Sequence, residues 1–160
     1  NLVLTEIAYR TDETIDLPEF FAILNPGSKT INLAGYRITQ GVTFTFPEHA
    51  ALGPGQKAYI TGNPMHPFWE NRTRNLYAWE SGRLADEGEN IRLETASGIV
   101  LDGVTYDNKA PWAELSHAEQ AIKLVSPTLD NHFGENWIMV PVDEMVSFRE
   151  YLGESSKLKV

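Results

Sequence analysis

The sequence contains no cysteine, so disulfides and thiolate chemistry are excluded, and structural zinc would have to be bound without sulfur. That absence fixes no compartment, because a disulfide-free β-protein suits the cytosol and the cell exterior alike. No apolar run approaches the roughly 18 residues of a membrane-spanning helix, and no membrane insertion is expected. Basic residues are scarce: 13 Lys and Arg against 22 Asp and Glu leave a net charge of −9. Nucleic-acid affinity rests largely on phosphate neutralisation, so the chain would need its few cations gathered in one patch. The nearest grouping, Arg72, Arg74, Arg83 and Arg92, is interleaved with Glu70, Glu80, Asp86, Glu87 and Glu89. That mixture reads as a solvated surface, and no nucleic-acid binding is expected.

Catalytic motifs are missing too. There is no G-x-S-x-G elbow, no Gly-rich phosphate loop and no H-E-x-x-H. His117-Ala118-Glu119 lacks the second histidine of a zinc protease, and His49, His66, His117 and His132 fall in four separate loops or edges, where they read as solvated. The acidic turns Asp86-Glu87-Gly88-Glu89-Asn90, Asp107-Asn108 and Asp130-Asn131 hold hard oxygen ligands without the spacing of a calcium loop. Asx residues beside glycine serve turns by bonding their own backbone. No metal and no cofactor is expected. The 22 acids would permit a glycosidase-like carboxylate pair, but none is singled out.

What is present is the patterning of short strands. Within the stretch from Trp79 to Trp112, Asn90 to Glu94 alternates apolar with polar, Ala96-Ser97-Gly98 turns the chain, and Ile99 to Tyr106 alternates again. Its heavy positions are Ile99, Leu101 and Val104. This is a hairpin with one buried face, and the flanking tryptophans are expected to close the ends of a core. Earlier, Leu2 to Tyr9 places Val3, Thr5, Ile7 and Tyr9 on one side and Leu2, Leu4 and Ala8 on the other, so both faces of that strand read as buried. Glu19 to Asn25 is stopped by the turn Asn25-Pro26-Gly27. A second hairpin joins Ala34–Thr39 to Val42–Phe46 through Gln40-Gly41, and Leu52-Gly53-Pro54-Gly55 precedes a strand over Gln56–Thr61.

Phe68 to Tyr77 is ambiguous, with Phe68 and Trp69 placed on a short helical turn. Ala113–Gln120 has helix-forming composition, Ala121–Val125 and Trp137–Val140 read as strands, and Val142–Leu152 reads as a short amphipathic helix. Strands between Gly- and Pro-bearing turns, with hardly any helix, predict one all-β domain built as a sandwich. A closed barrel is the alternative.

The ordered features Glu6-Ile7, Glu19-Phe20-Phe21 with Leu24-Asn25, Ile31-Asn32-Leu33 with Gly35-Tyr36, and Phe44-Thr45-Phe46-Pro47 carry a likeness to a known family. So do Leu52-Gly53-Pro54-Gly55, Ser81-Gly82-Arg83-Leu84 to Leu93, Gly98 to Asp107, and Asn136-Trp137. Over residues 2 to 138 the chain resembles the lamin tail domain, in its bacterial form. The resemblance implies an immunoglobulin-like sandwich over residues 1–140 and no shared catalytic set. Residues 141–160 are then a C-terminal helical or irregular extension, either packed on the domain or serving as a linker. One departure stands out: the second strand of the family commonly carries an acid where this chain has Ala22, so that face is expected to be buried or docked differently.

The expected function is a noncatalytic binding or scaffolding module, an accessory domain of a larger exported or cell-surface bacterial protein, with an unidentified protein or surface partner. The start at Asn1 reads as a processed or excised fragment whose export segment has been removed; a cytoplasmic home is the alternative. The domain is expected as a monomer. One alternative function is glycan recognition, with Trp69 and Tyr77 as stacking rings beside Arg72 and Arg74. Against it stands the reading in which Trp79 is core and Trp69 is half-exposed. A hydrolase using loop carboxylates is the lesser alternative. Asn71-Arg72-Thr73 fits an N-glycosylation acceptor, relevant only in a secreted eukaryotic chain.

Overall fold

The computed structural model describes residues 1–9, 16–116 and 119–145. In chain order the strands are β1 (Val3–Ala8), β2 (Phe20–Leu24), β3 (Ile31–Asn32), β4 (Arg37–Gln40), β5 (Val42–Thr45), β6 (Ala51–Leu52) and β7 (Lys57–Thr61). They continue with β8 (Leu76–Ala78), β9 (Ser81–Gly82), β10 (Gly88–Glu94), β11 (Val100–Asp107), β12 (Gln120–Leu124) and β13 (Trp137–Pro141). Single 3-10 turns occupy Pro67–Trp69 and Gly134–Asn136, and a short helix, α1, covers Val142–Met145. The fold is an all-β, immunoglobulin-like sandwich. One sheet has the order β13-β12-β1-β2-β7-β8 and the other β11-β10-β4-β5-β9, with β3 and β6 as a small separate pair. Among the described residues the two main sheets are not joined into a barrel.

Apolar side chains from the inner faces of both sheets make the main core, including Ile7, Phe21, Ile60 and Ile122 from one sheet and Ile38, Phe44, Ile91 and Val104 from the other. The hairpin β4–β5 is as the alternation predicts: Val42, Phe44 and Phe46 are buried, while Thr43 and Thr45 face solvent. Gly41 takes a φ of 83° at its tip, a conformation that costs glycine nothing.

Two strands depart from simple alternation. In β1 the pairing with β2 slips between Leu4 and Glu6, and this bulge lets Leu2, Leu4, Ile7 and Tyr9 all enter the main core. The expected split of Leu2 and Leu4 from Ile7 and Tyr9 is therefore overturned. In β11 a second slip, opposite Leu93 and Glu94, puts one extra residue between Val100 and Asp102. Val104 and Tyr106 are buried, whereas Ile99 ends the turn, accepts a hydrogen bond from the Thr95 N–H and is 63% exposed. Of the flanking rings, Trp112 is buried against Trp137, and half-buried Trp79 lies parallel to Phe21.

The outer face of the six-stranded sheet is covered as well. Ala8, Phe20, Ala22, Tyr59 and Ala121 form its floor, and Phe68 and Trp69 from the 3-10 turn close over it with Val142 and Met145 from α1. This explains why β1 and β2 read as buried on both faces. The start of the extension thus packs back on the domain; the expected helical positions Phe148 and Leu152 lie outside the described residues. Described residues 113–116 form no helix.

Candidate functional site

Arg72 joins the two halves of this cover. Its guanidinium lies 4.2 Å from the Phe68 ring centroid and donates to both the carbonyl and the carboxylate of Asp143. His66 supports the same loop: its Nδ1 accepts from the Phe68 N–H at 2.9 Å, and its Nε2 stands 3.1 Å from Asp16. These contacts revise two expectations, because Arg72 and His66 are half-buried parts of the cover instead of solvated loop residues.

The pair of rings proposed for glycan stacking does not exist as a platform. Trp69 is only 5% exposed and, as part of the cover, packs edge-on against Phe20. The reading that leaves it half-exposed is therefore wrong as well. Tyr77 lies opposite Ile60 in the parallel pair of β7 and β8, while Leu76 lies opposite Tyr59. Alternation sends Tyr77 to the inner face, where it packs on Phe44 and Phe46. Burial also raises the phenol pKa of Tyr77. Trp69 and Tyr77 belong to opposite faces of one sheet. Arg74 and Asn71 are exposed, Asn71 with a φ of 57°.

Beside Tyr59 of the outer face lies a buried charge. Glu6 is fully buried, with its carboxylate 2.7 Å from the Lys57 ammonium and 3.4 Å from the Tyr59 hydroxyl. In register, Ala22 lies between Glu6 of β1 and Tyr59 of β7. The small side chain lets Tyr59 reach across to Glu6, and an acid at position 22 would set a second carboxylate beside one already withdrawn from water. This is the physical meaning of the Ala22 departure. A charged residue inside the apolar run of β1 was the available signal.

A second polar constellation closes one end of the sandwich. Glu19 accepts from the Leu84 N–H, Glu89 accepts from the Ala85 N–H, and Tyr106 donates to the Ala85 carbonyl at 2.6 Å. Tyr9 stacks on Tyr106 with centroids 4.6 Å apart. Burial raises the Glu19 carboxyl to a pKa of about 7; the Leu84 N–H and Arg83 pull it down, and Asp86 and Glu89 push it up. Burial also drives the Tyr106 phenol upward, reinforced by Glu89 and Glu19. Three side chains from three strands or strand flanks thus hold two residues of one loop. Their observed chemistry is that of a clamp.

The remaining acidic turns serve the backbone in the same way. Asp107 accepts from the Asn108 N–H, and Asp130 accepts from the N–H and ring of His132. His132 and His49 are exposed; His117 lies outside the described residues. Among the described residues, no three His, Asp or Glu side chains are grouped to hold a metal ion. Asn131, read as turn material, is instead buried and bonds across to β1 and β11.

A family model described as Lamin Tail Domain matches residues 1–108. No curated protein matches the chain. The match stops just after β11, whereas β12 and β13 continue the sheet that contains β1.

Proposed function

The chain belongs to the lamin tail domain family, and on that premise we propose that it is a noncatalytic binding or scaffolding module. In this reading it is an accessory domain of a larger exported or cell-surface bacterial protein and mediates protein–protein or surface attachment. The observation that carries it is the employment of the polar side chains. Glu19, Glu89 and Tyr106 clamp a loop, and Glu6 is fully buried against Lys57 and Tyr59. Fold alone does not assign activity, so the argument rests on these groups.

A panel of glycoside, ester, phosphoester and peptide substrates is expected to remain intact in the presence of the purified chain. Turnover by the wild type that disappears in Glu19→Gln would replace this reading with the hydrolase alternative. Nucleic acid is not a partner in this account, because the net charge is −9 and Arg72 is engaged by Asp143.

A further inference from the structure

Among the described residues, the four strands that end the two main sheets are unequally defended. Edge strands avoid unwanted pairing by being short, charged or covered. β8 has three residues and β9 two, while β11 is long but carries Asp102 and Asp107. β13 is five residues long and bears no charge, with Pro141 at its final position as its one protective residue.

The hydrogen bonds show what this edge offers. The Val125 N–H donates to the Asn136 carbonyl and the Val142 N–H to the Glu119 carbonyl. Between those points Ile138 lies opposite Lys123 and Val140 opposite Ala121. Antiparallel alternation then directs the main-chain groups of Ile138 and Val140 toward β12 and those of Met139 away from it. Ile138 and Met139 are 47% and 44% exposed. Five of the eight large exposed apolar side chains among the described residues, namely Val125, Leu129, Phe133, Ile138 and Met139, fall in this one segment. Ile138 and Met139, adjacent in an alternating strand, expose one apolar side chain on each face of this edge. Acids flank it on both sides: exposed Glu135 precedes β13 and exposed Glu144 follows it, beside Asp130 and Asp143, which already hold His132 and Arg72.

We propose that β13 is a docking edge that accepts an extended segment of another protein as an added strand, apolar at its centre and carrying Lys or Arg toward both ends. The proposal rests on the binding-module reading and gives that reading a surface. Backbone pairing at Met139 supplies adhesion, exposed apolar side chains select the centre, and the flanking acids select the ends. A second copy of this chain fits poorly. Antiparallel self-pairing about Met139 would bring the acidic start of one β13 against the acidic end of the other, between chains that each carry −9.

The test is fluorescence anisotropy of the full chain with a labelled synthetic peptide of alternating Val and Thr, flanked by two lysines at each end. Two control peptides replace the lysines by glutamates or carry an N-methyl group on the central valine. Saturable binding of the lysine-flanked peptide is expected, weakened at least about tenfold by either peptide change and by Met139→Pro. The N-methylated peptide keeps the test valid where Met139→Pro does not fold. Absence of binding by the lysine-flanked peptide, or equal binding of either control, overturns the proposal. Concentration-dependent dimerisation in sedimentation that Met139→Pro abolishes would make a second copy the occupant and overturn it too. If the edge fails while cross-linking finds a protein partner elsewhere on the chain, the binding-module reading survives alone.

Discussion

Asp102 of β11 reaches across the sandwich to β1, where its Oδ2 accepts the main-chain N–H of Leu4 at 2.8 Å. The same oxygen accepts from Asn131 Nδ2 at 2.7 Å, and Oδ1 accepts from the Gly103 N–H. Asn131 also donates to the Leu4 carbonyl, and its own carbonyl receives the Trp137 indole N–H. One carboxylate and one amide thereby satisfy the backbone at the β1 bulge, where ladder bonding is interrupted.

Asp102→Ala is expected to destabilise the fold by about 2 to 3 kcal/mol, since it strands several part-buried donors. Asp102→Asn should give little rescue, because the three donors require both oxygens as acceptors and an amide nitrogen would oppose one of them. Denaturant unfolding measures both variants. Wild-type stability in Asp102→Asn would show that the tie contributes nothing.

The Glu6–Lys57 pair makes a different prediction. Lys57→Met removes a cation 2.7 Å from the buried Glu6 carboxylate and should cost about 3 kcal/mol. Combining it with Glu6→Gln removes the buried charge as well, so the double variant should recover part of that loss. Equal loss in the single and double variants would contradict the coupling.

Which parts of this architecture were legible beforehand follows from how local their causes are. The β4–β5 hairpin is local: Val42, Phe44 and Phe46 alternate with threonines and Gly41 supplies the turn, so pattern and structure agree. The bulges at Thr5 and Leu101 are not local, because each is defined by a slip against a partner strand. They reverse the inward parity within one strand and explain why Ile99 was misplaced. Trp69 was misplaced for a related reason: the surface that buries it comes from β2, β7 and α1, and a sequence window around Trp69 contains none of them.

Glu19 gives the fold a pH signature. Its folded pKa, about 7, lies above the ordinary carboxylate value of 4.5, so the native state holds this proton more tightly than the unfolded chain. The resulting stabilisation is complete below about pH 4.5 and is lost as pH rises through about 7. Glu19→Gln keeps an acceptor for the Leu84 N–H and cannot ionise. Relative to wild type it should gain about 1 kcal/mol between pH 5 and pH 8, after discounting for partial exposure. A pH-independent difference between the two unfolding curves would refute the assignment.

The cover over the outer face predicts the effect of shortening the chain. Cleavage after Pro141 removes buried Val142 and Met145 along with the Asp143 partner of Arg72, and should lower the melting temperature clearly or cause aggregation. Met145→Ala alone should cost about 2 to 3 kcal/mol, whereas Asp143→Ala, which removes an exposed carboxylate, should cost less than about 1 kcal/mol. An unchanged melting curve after cleavage would mean that the extension does not cover the sheet in solution.

The central proposal, that this is a binding module working outside the cytoplasm, is tested most directly in the source organism. A photoreactive residue would be placed in the intact protein at Met65, Ile99, Leu129, Phe133 and Ile138 in turn, all exposed apolar positions. The account predicts a discrete adduct with another protein from at least one of these sites, recovered in the extracytoplasmic fraction. Recovery of the protein in the cytoplasm, or no adduct from any of the positions, would contradict it.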